Sequence, residues 1–276
     1  MSGSGKVWFV TGASGGFGRE WTEAALERGD RVVATARTPS KLDALVDRFG
    51  ERVLSIELDV SDRRAVFEAV ETGHAHFGRL DVVVSNAGYG HYGLVEELSE
   101  DDIRAVYETN VFGSIWVIQA VLPYLRAQRS GHIFQISSIG GVTTSPLVSI
   151  YDSSKWAVEG IAQALAAQVA GFGIKVTIIE PQGYSTEFSA SSAKRALPMP
   201  EYADYRSTAA PFSTRRGDPA ATRGPFLELV DSDQPPLRQF FGVTPFDVAA
   251  KEYEGRLAEW RSGQERAVRA FGDVPE

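Results

Sequence analysis

Seven short runs rich in Val, Ile and Phe, spaced by stretches long enough for a helix, constrain this chain more than any other feature. They lie at residues 6–11, 31–35, 53–58, 80–85, 132–137, 175–180 and 237–241. Runs such as Val82-Val83-Val84 show no polar alternation, so both faces must be buried, and connections of helical length join parallel neighbours rather than hairpins. The pattern predicts an α/β chain: a single-domain Rossmann fold with a doubly wound, seven-stranded parallel sheet and helices on both faces. No linker between residues 1 and 276 divides it into two domains.

Regularity breaks at about 188–219, where Ser, Ala and Pro gather around Met199, Tyr202, Tyr205 and Phe212. This reads as a loop-rich substrate lid, or else as a surface loop with its own small hydrophobic cluster. Asp218-Pro219 and Thr244-Pro245 each set a capping residue before a proline at the first helical position. A C-terminal helical extension over about 244–270 then places Phe246, Ala250, Tyr253, Leu257 and Trp260 on one face, as core packing or an oligomer contact.

Composition narrows the function classes. With 36 Asp and Glu against 28 Lys and Arg the net charge is −8, the wrong background for binding nucleic acid. The absence of Cys removes disulfides, thiolate nucleophiles and Cys-ligated metals; the four His include no HExxH, and no metal site is expected. Neither a secretory leader nor an apolar run of ~18 residues is evident, so the expected location is cytoplasmic, with no membrane span.

The first strand runs into Thr11-Gly12-Ala13-Ser14-Gly15-Gly16-Phe17-Gly18, which opens the first helix. Side chains at Gly12, Gly16 or Gly18 would obstruct the turn, the approach of a phosphate or helix packing, and the helix N-terminus adds N–H donors. The turn is a dinucleotide cradle or a mere tight βα connection. The second strand ends in Thr35-Ala36-Arg37-Thr38, without the acid that would take a ribose 2′-OH. Arg37, with Thr38 beside it, suits a 2′-phosphate, favouring NADP(H) over NAD(H), with a solvated surface charge as the alternative reading of Arg37.

Tyr151 and Lys155 are four apart at the start of a predicted helix and so share a face. A neighbouring ammonium favours phenolate and is expected to bring the phenol toward ~7, where it can give and take a proton. Ser138, closing a strand thirteen residues earlier, is placed to give a second hydrogen bond to a developing alkoxide.

The glycine turn, Asn86-Ala87-Gly88, Asn110, Ser138 and the Tyr151/Lys155 pair, in this order and spacing, resemble the short-chain dehydrogenase/reductase family from Thr11 to Thr186. The resemblance implies an NADPH-dependent carbonyl reductase, reversible as a secondary-alcohol dehydrogenase. Tyr151 would be the general acid and base, Lys155 would tune it and bind the nicotinamide ribose, and Ser138 would hold the carbonyl oxygen. Asn110, otherwise an ordinary helix residue, would bend its helix and position a relay water. Asp59 and Val60 would meet the adenine, though Asp59 could equally cap the next helix. Asn86, Ala87 and Gly88 would line the cofactor cleft, together with Pro181 and Gly183, and Thr186 would hold the carboxamide.

Three departures from the family pattern stand out. Gln182 replaces the usual Gly after Pro181 and could reach the nicotinamide edge or the pocket. Gly15 stands where many NADP-using relatives are basic, leaving Arg37 the main 2′-phosphate partner, and Ser85 replaces an Asn. A looser similarity to 17β-hydroxysteroid and retinol dehydrogenases and bacterial ketoreductases makes Tyr89, His91, Tyr92, Val142, Thr143, Gln182, Tyr184 and Phe188 pocket candidates for a hydrophobic or aromatic ketone. His91 could instead be a solvent-facing loop residue. The family also implies a homo-oligomer, a dimer or tetramer. An NAD-preferring alcohol dehydrogenase and a non-catalytic NADP-sensing protein are the alternatives.

Overall fold

The computed structural model describes residues 5–186, 193–208 and 215–272. Seven strands form one sheet: β1 (Val7–Thr11), β2 (Arg31–Ala36), β3 (Val53–Glu57), β4 (Val82–Ser85), β6 (Gly131–Ile136), β7 (Ile174–Pro181) and β9 (Arg238–Phe241). Their order is β3-β2-β1-β4-β6-β7-β9, and every pairing is parallel. The order reverses between β1 and β4, which opens a crevice at the carboxyl ends of the strands.

Burial explains why the apolar runs were visible. All five residues of β1 are buried, and because side chains alternate along a strand, Val7 and Phe9 enter one core while Trp8 and Val10 enter another. The first core lies under α3 (Arg63–Phe77), α5 (Gly113–Gln128) and α6 (Ser149–Val169). The second lies under α1 (Gly16–Glu27) and α8 (Arg223–Asp231), where Trp21 stacks on Phe226 at 3.9 Å with the rings 3° from parallel. Trp21 also donates its indole N–H to Thr222 Oγ1 at 2.9 Å, so its one polar atom is satisfied inside that core.

The interrupted region contains structure too short for periodicity to reveal. Strand β8 (Lys194–Arg195) pairs in parallel with β5 (His91–Tyr92), and α7 (Ala203–Thr208) follows. Asp218 accepts a hydrogen bond from Ala220 N at 3.0 Å and starts the turn that leads into α8. Beyond β9, α9 (Pro245–Ser262) and α10 (Gln264–Phe271) complete the described chain. The apolar stripe on α9 is not core packing within the chain: Phe246 is 71% exposed and Trp260 62%. The side of α9 turned inward instead carries the buried Pro245 and Ala249. Among the described residues no helix is long and apolar enough to cross a membrane.

Candidate active site

The crevice is a cleft of about 1740 Å³. One end is floored by the glycine turn, where Gly12 (φ +67°) and Gly16 (φ +53°) occupy left-handed backbone that side chains strain to adopt. A Cβ on Gly18 would collide with the Gly12 carbonyl and the Asn86 amide, so Gly18 closes the turn from behind while Gly12, Ser14, Gly15, Gly16 and Phe17 face the cleft. Asn86 fastens the turn to β4: its Nδ2 donates to Thr11 O at 2.9 Å and its backbone N–H to Thr11 Oγ1 at 2.9 Å. No side chain caps α1, whose first turn holds no acid, so its N–H groups suit a phosphate. A cradle of backbone donors with no Cβ in the way fits a dinucleotide.

Arg37, Asp59, Val60, Ala87, Gly88, Pro181, Gly183 and Thr186 also line this cleft. Thr38 does not; its carbonyl accepts from Lys41 N at 3.1 Å, and Lys41 itself reaches the cleft beside Arg37. Asp59 does not cap α3. It accepts from Ser61 N at 2.9 Å and Ser61 Oγ at 2.7 Å, and the cap is Asp62, which accepts from Ala65 N at 3.1 Å.

At the other end, the first turn of α6 brings Tyr151 against Ser138, to which it is hydrogen-bonded. Lys155, one turn later and buried, donates to Ile136 O at 2.9 Å, its Nζ lying 5.7 Å from the Tyr151 ring centroid. The expected lowering of the phenol does not occur here. Burial pushes Tyr151 up, Asp152 and Tyr92 add to the rise, and only the Ser138 hydrogen bond opposes it. Burial also pulls Lys155 down to about 8, with Glu159 opposing, and pushes Asp152 up to about 7 against the hydrogen bond from Ser145 N. Tyr151 is therefore a neutral phenol at neutral pH, the form that donates a proton.

Asn110 sits in a π-helical turn (Glu108–Phe112) that widens the helix between α4 (Glu100–Tyr107) and α5. Only 1% exposed, it does not line the cleft. Its amide clamps Tyr89 from both sides, accepting from Tyr89 N at 3.0 Å and donating to Tyr89 O at 3.0 Å, and it also donates to Ser154 Oγ at 3.0 Å. Ser85 has a role here that the sequence did not disclose. Its hydroxyl donates to Ser114 Oγ at 3.3 Å, and Ser114 donates to Asn110 O at 3.0 Å, so β4 supports the widened turn.

Among the pocket candidates, Tyr89, Tyr92, Thr143, Gln182 and Tyr184 line the cleft. Val142 and His91 do not: both are buried, and His91 Nδ1 lies 3.8 Å from Asp102 Oδ1 instead of facing solvent. Burial pulls His91 down despite that carboxylate. Phe188 lies outside the described residues. Gln182 lines the cleft and turns its amide oxygen toward the start of α9, accepting from Val243 N at 2.9 Å and from Thr244 N and Oγ1 at 3.1 Å each. It thereby ties β7 to the start of α9, and Thr244 does not cap that helix with its side chain. Lys194, Arg215 and Arg216 also line the cleft. In the sequence, the adjacent pairs Lys194-Arg195 and Arg215-Arg216 mark these cations.

Residues 6–196 match the sequence profile described as short chain dehydrogenase. Oxidoreductase BOA17 of Botryotinia fuckeliana is 43% identical over 274 residues, covering 96% of this chain and 97% of that one. A 3-ketodihydrosphingosine reductase of Bacteroides thetaiotaomicron is 39% identical over 184 residues, covering 67% of this chain and 66% of its own. The crystal structure of a short-chain dehydrogenase from Streptomyces avermitilis superposes with a TM-score of 0.90 at 36% identity, covering 98% of this chain and 100% of that one.

Proposed function

This chain belongs to the short-chain dehydrogenase/reductase family of oxidoreductases acting on CH–OH and C=O groups, and on that premise we propose that it is an NADPH-dependent carbonyl reductase for a hydrophobic or aromatic ketone. The observation that carries the reading is Tyr151, hydrogen-bonded to Ser138 and with its pKa raised by its surroundings, at the end of the cleft opposite the glycine turn. When bound, a nicotinamide dinucleotide supplies hydride to the carbonyl carbon. Tyr151 gives its phenolic proton to the carbonyl oxygen, and Ser138 holds that oxygen as charge develops on it. Lys155 puts a buried positive charge near the phenol, which favours the phenolate left after transfer. Gly12, Ser14 and Gly16 would take the pyrophosphate, and Tyr89, Tyr92 and Tyr184 would give the ketone an aromatic wall. Loss of NADPH absorbance with a panel of aryl ketones, a steroid ketone and retinal tests the reading; no turnover with any of them counts against it.

Arg37 and Lys41 beside an acid-free strand end support NADP(H) over NAD(H). Arg37→Ala is expected to raise the KM for NADPH by about 10- to 100-fold, the worth of charge-assisted phosphate bonds, while changing that for NADH little. Equal losses for both cofactors would remove Arg37 from the 2′-phosphate.

The lowered Lys155 also predicts a pH dependence. Its ammonium is present below about 8 and lost as pH rises through that value, so kcat/KM for reduction should fall across this range. A profile that stays flat from about pH 7 to about pH 9 would contradict the role given to Lys155.

A further inference from the structure

Beside the catalytic cleft lies a second cavity of about 430 Å³, and Tyr92 and Arg216 line both. Three arginines from separate parts of the chain converge on it: Arg195 from β8, Arg206 from α7 and Arg216 from the segment before α8. Arg195 sits over the Tyr92 ring, its guanidinium carbon 4.3 Å from the centroid. Arg216 lies across Gly183, where any Cβ would collide with its guanidinium. Among the described residues neither Arg195 nor Arg216 forms an ion pair.

The acid beside this cavity is already committed. Glu97 pairs with Arg206 and also accepts from Leu94 N at 2.7 Å and Met199 N at 3.0 Å. Even so, Arg206 keeps a buried Nε–H with no acceptor. A buried donor without a partner is costly, and guanidinium forks match carboxylates in plane. On a chain of net charge −8, three cations lining one small cavity form a local inversion of charge.

We propose that the cavity is a subsite for a carboxylate on the substrate, so that the enzyme reduces keto acids, with the ketone at Ser138 and Tyr151 and the acid between Arg195, Arg206 and Arg216. The proposal rests on the carbonyl-reductase reading. It extends that reading from the aromatic wall to the far end of the substrate, and Tyr92, shared by both cavities, marks the path between them.

The test compares kcat/KM for a series of aryl keto acids of increasing chain length with that for their methyl esters, in the wild type, Arg195→Gln and Arg216→Gln. At least one acid should exceed its ester by about tenfold or more, the scale of a charge-assisted pair, and either substitution should collapse that ratio toward one. Acids no better than esters, or a preference that survives both substitutions, overturn the subsite and leave the reductase standing. The KM for NADPH is followed in parallel, and a rise in Arg216→Gln with the acid preference intact would assign that arginine to the cofactor instead. If neither acids nor esters are reduced, the reductase reading fails, and calorimetric binding of phenylbutyrate against its amide decides the subsite alone. Tighter binding of the acid that is lost in Arg195→Gln upholds it; equal binding overturns it.

Discussion

Tyr151→Phe is expected to lower kcat for ketone reduction by about 10²- to 10⁴-fold while leaving the affinity for NADPH nearly unchanged. The substitution removes one hydroxyl from a ring that α6 continues to hold in place. The proton donor and the hydrogen bond to Ser138 disappear, but the glycine turn and Arg37 lie at the other end of the cleft and are untouched. Single-turnover reduction together with NADPH titration by fluorescence separates chemistry from binding. A variant that keeps more than about a tenth of wild-type turnover would mean that another group protonates the alkoxide.

The second large effect concerns stability. Phe226 is fully buried, stacked on Trp21 at 3.9 Å, and its ring centroid is 4.6 Å from that of Phe134 and 6.1 Å from that of Trp8. Phe226→Ala would remove the ring at the centre of this cluster and leave a cavity between α8 and the sheet. A loss of about 3–5 kcal/mol is expected, because aromatic neighbours fixed on α1, β1 and β6 relax only partly into the space. Urea unfolding measures it, and a loss below about 1 kcal/mol would show that α8 collapses onto the sheet.

These predictions differ in how far the amino-acid order alone could have reached them. Tyr151 and Ser138 were legible because their spacing on a predicted helix and strand end already puts a phenol and a hydroxyl at the same crevice. The seven strands were legible because burial on both faces leaves no polar position to blur them. Phe226 was not: the helix that carries it is nine residues long, and its partner Trp21 is two hundred positions away. Residue pattern likewise names a face without saying what covers it, which is why the α9 stripe reads equally as core packing or an oligomer contact, and only the first is excluded within the chain. Gln182 and His91 show a third limit, since a residue's position after a strand does not tell which way its side chain turns. Lys155 shows a fourth: pairing by spacing suggested a lowered phenol, but burial raises Tyr151 and also lowers Lys155.

The bonds that hold the residues around Tyr151 come from β4, β6, the loop between β6 and α6, and the helices from α4 to α6. Lys155 is tied to β6, Tyr151 to Ser138, Asp152 to the Ser145 N–H at 2.7 Å, and Asn110 to β4 through two serines. The segment carrying β8 and α7 joins that frame at a few points, chiefly the two-residue pairing with β5 and the bonds to Glu96 and Glu97. On the proposed reading, the groups that move the proton and the arginines Arg195, Arg206 and Arg216 therefore sit on separate parts of one chain. A relative's segment grafted between residues 193 and 217 is expected to change which substrates are taken while leaving the hydrogen bonds of Lys155, Asp152 and Asn110 in place, a use of this fold as a chassis for retargeting.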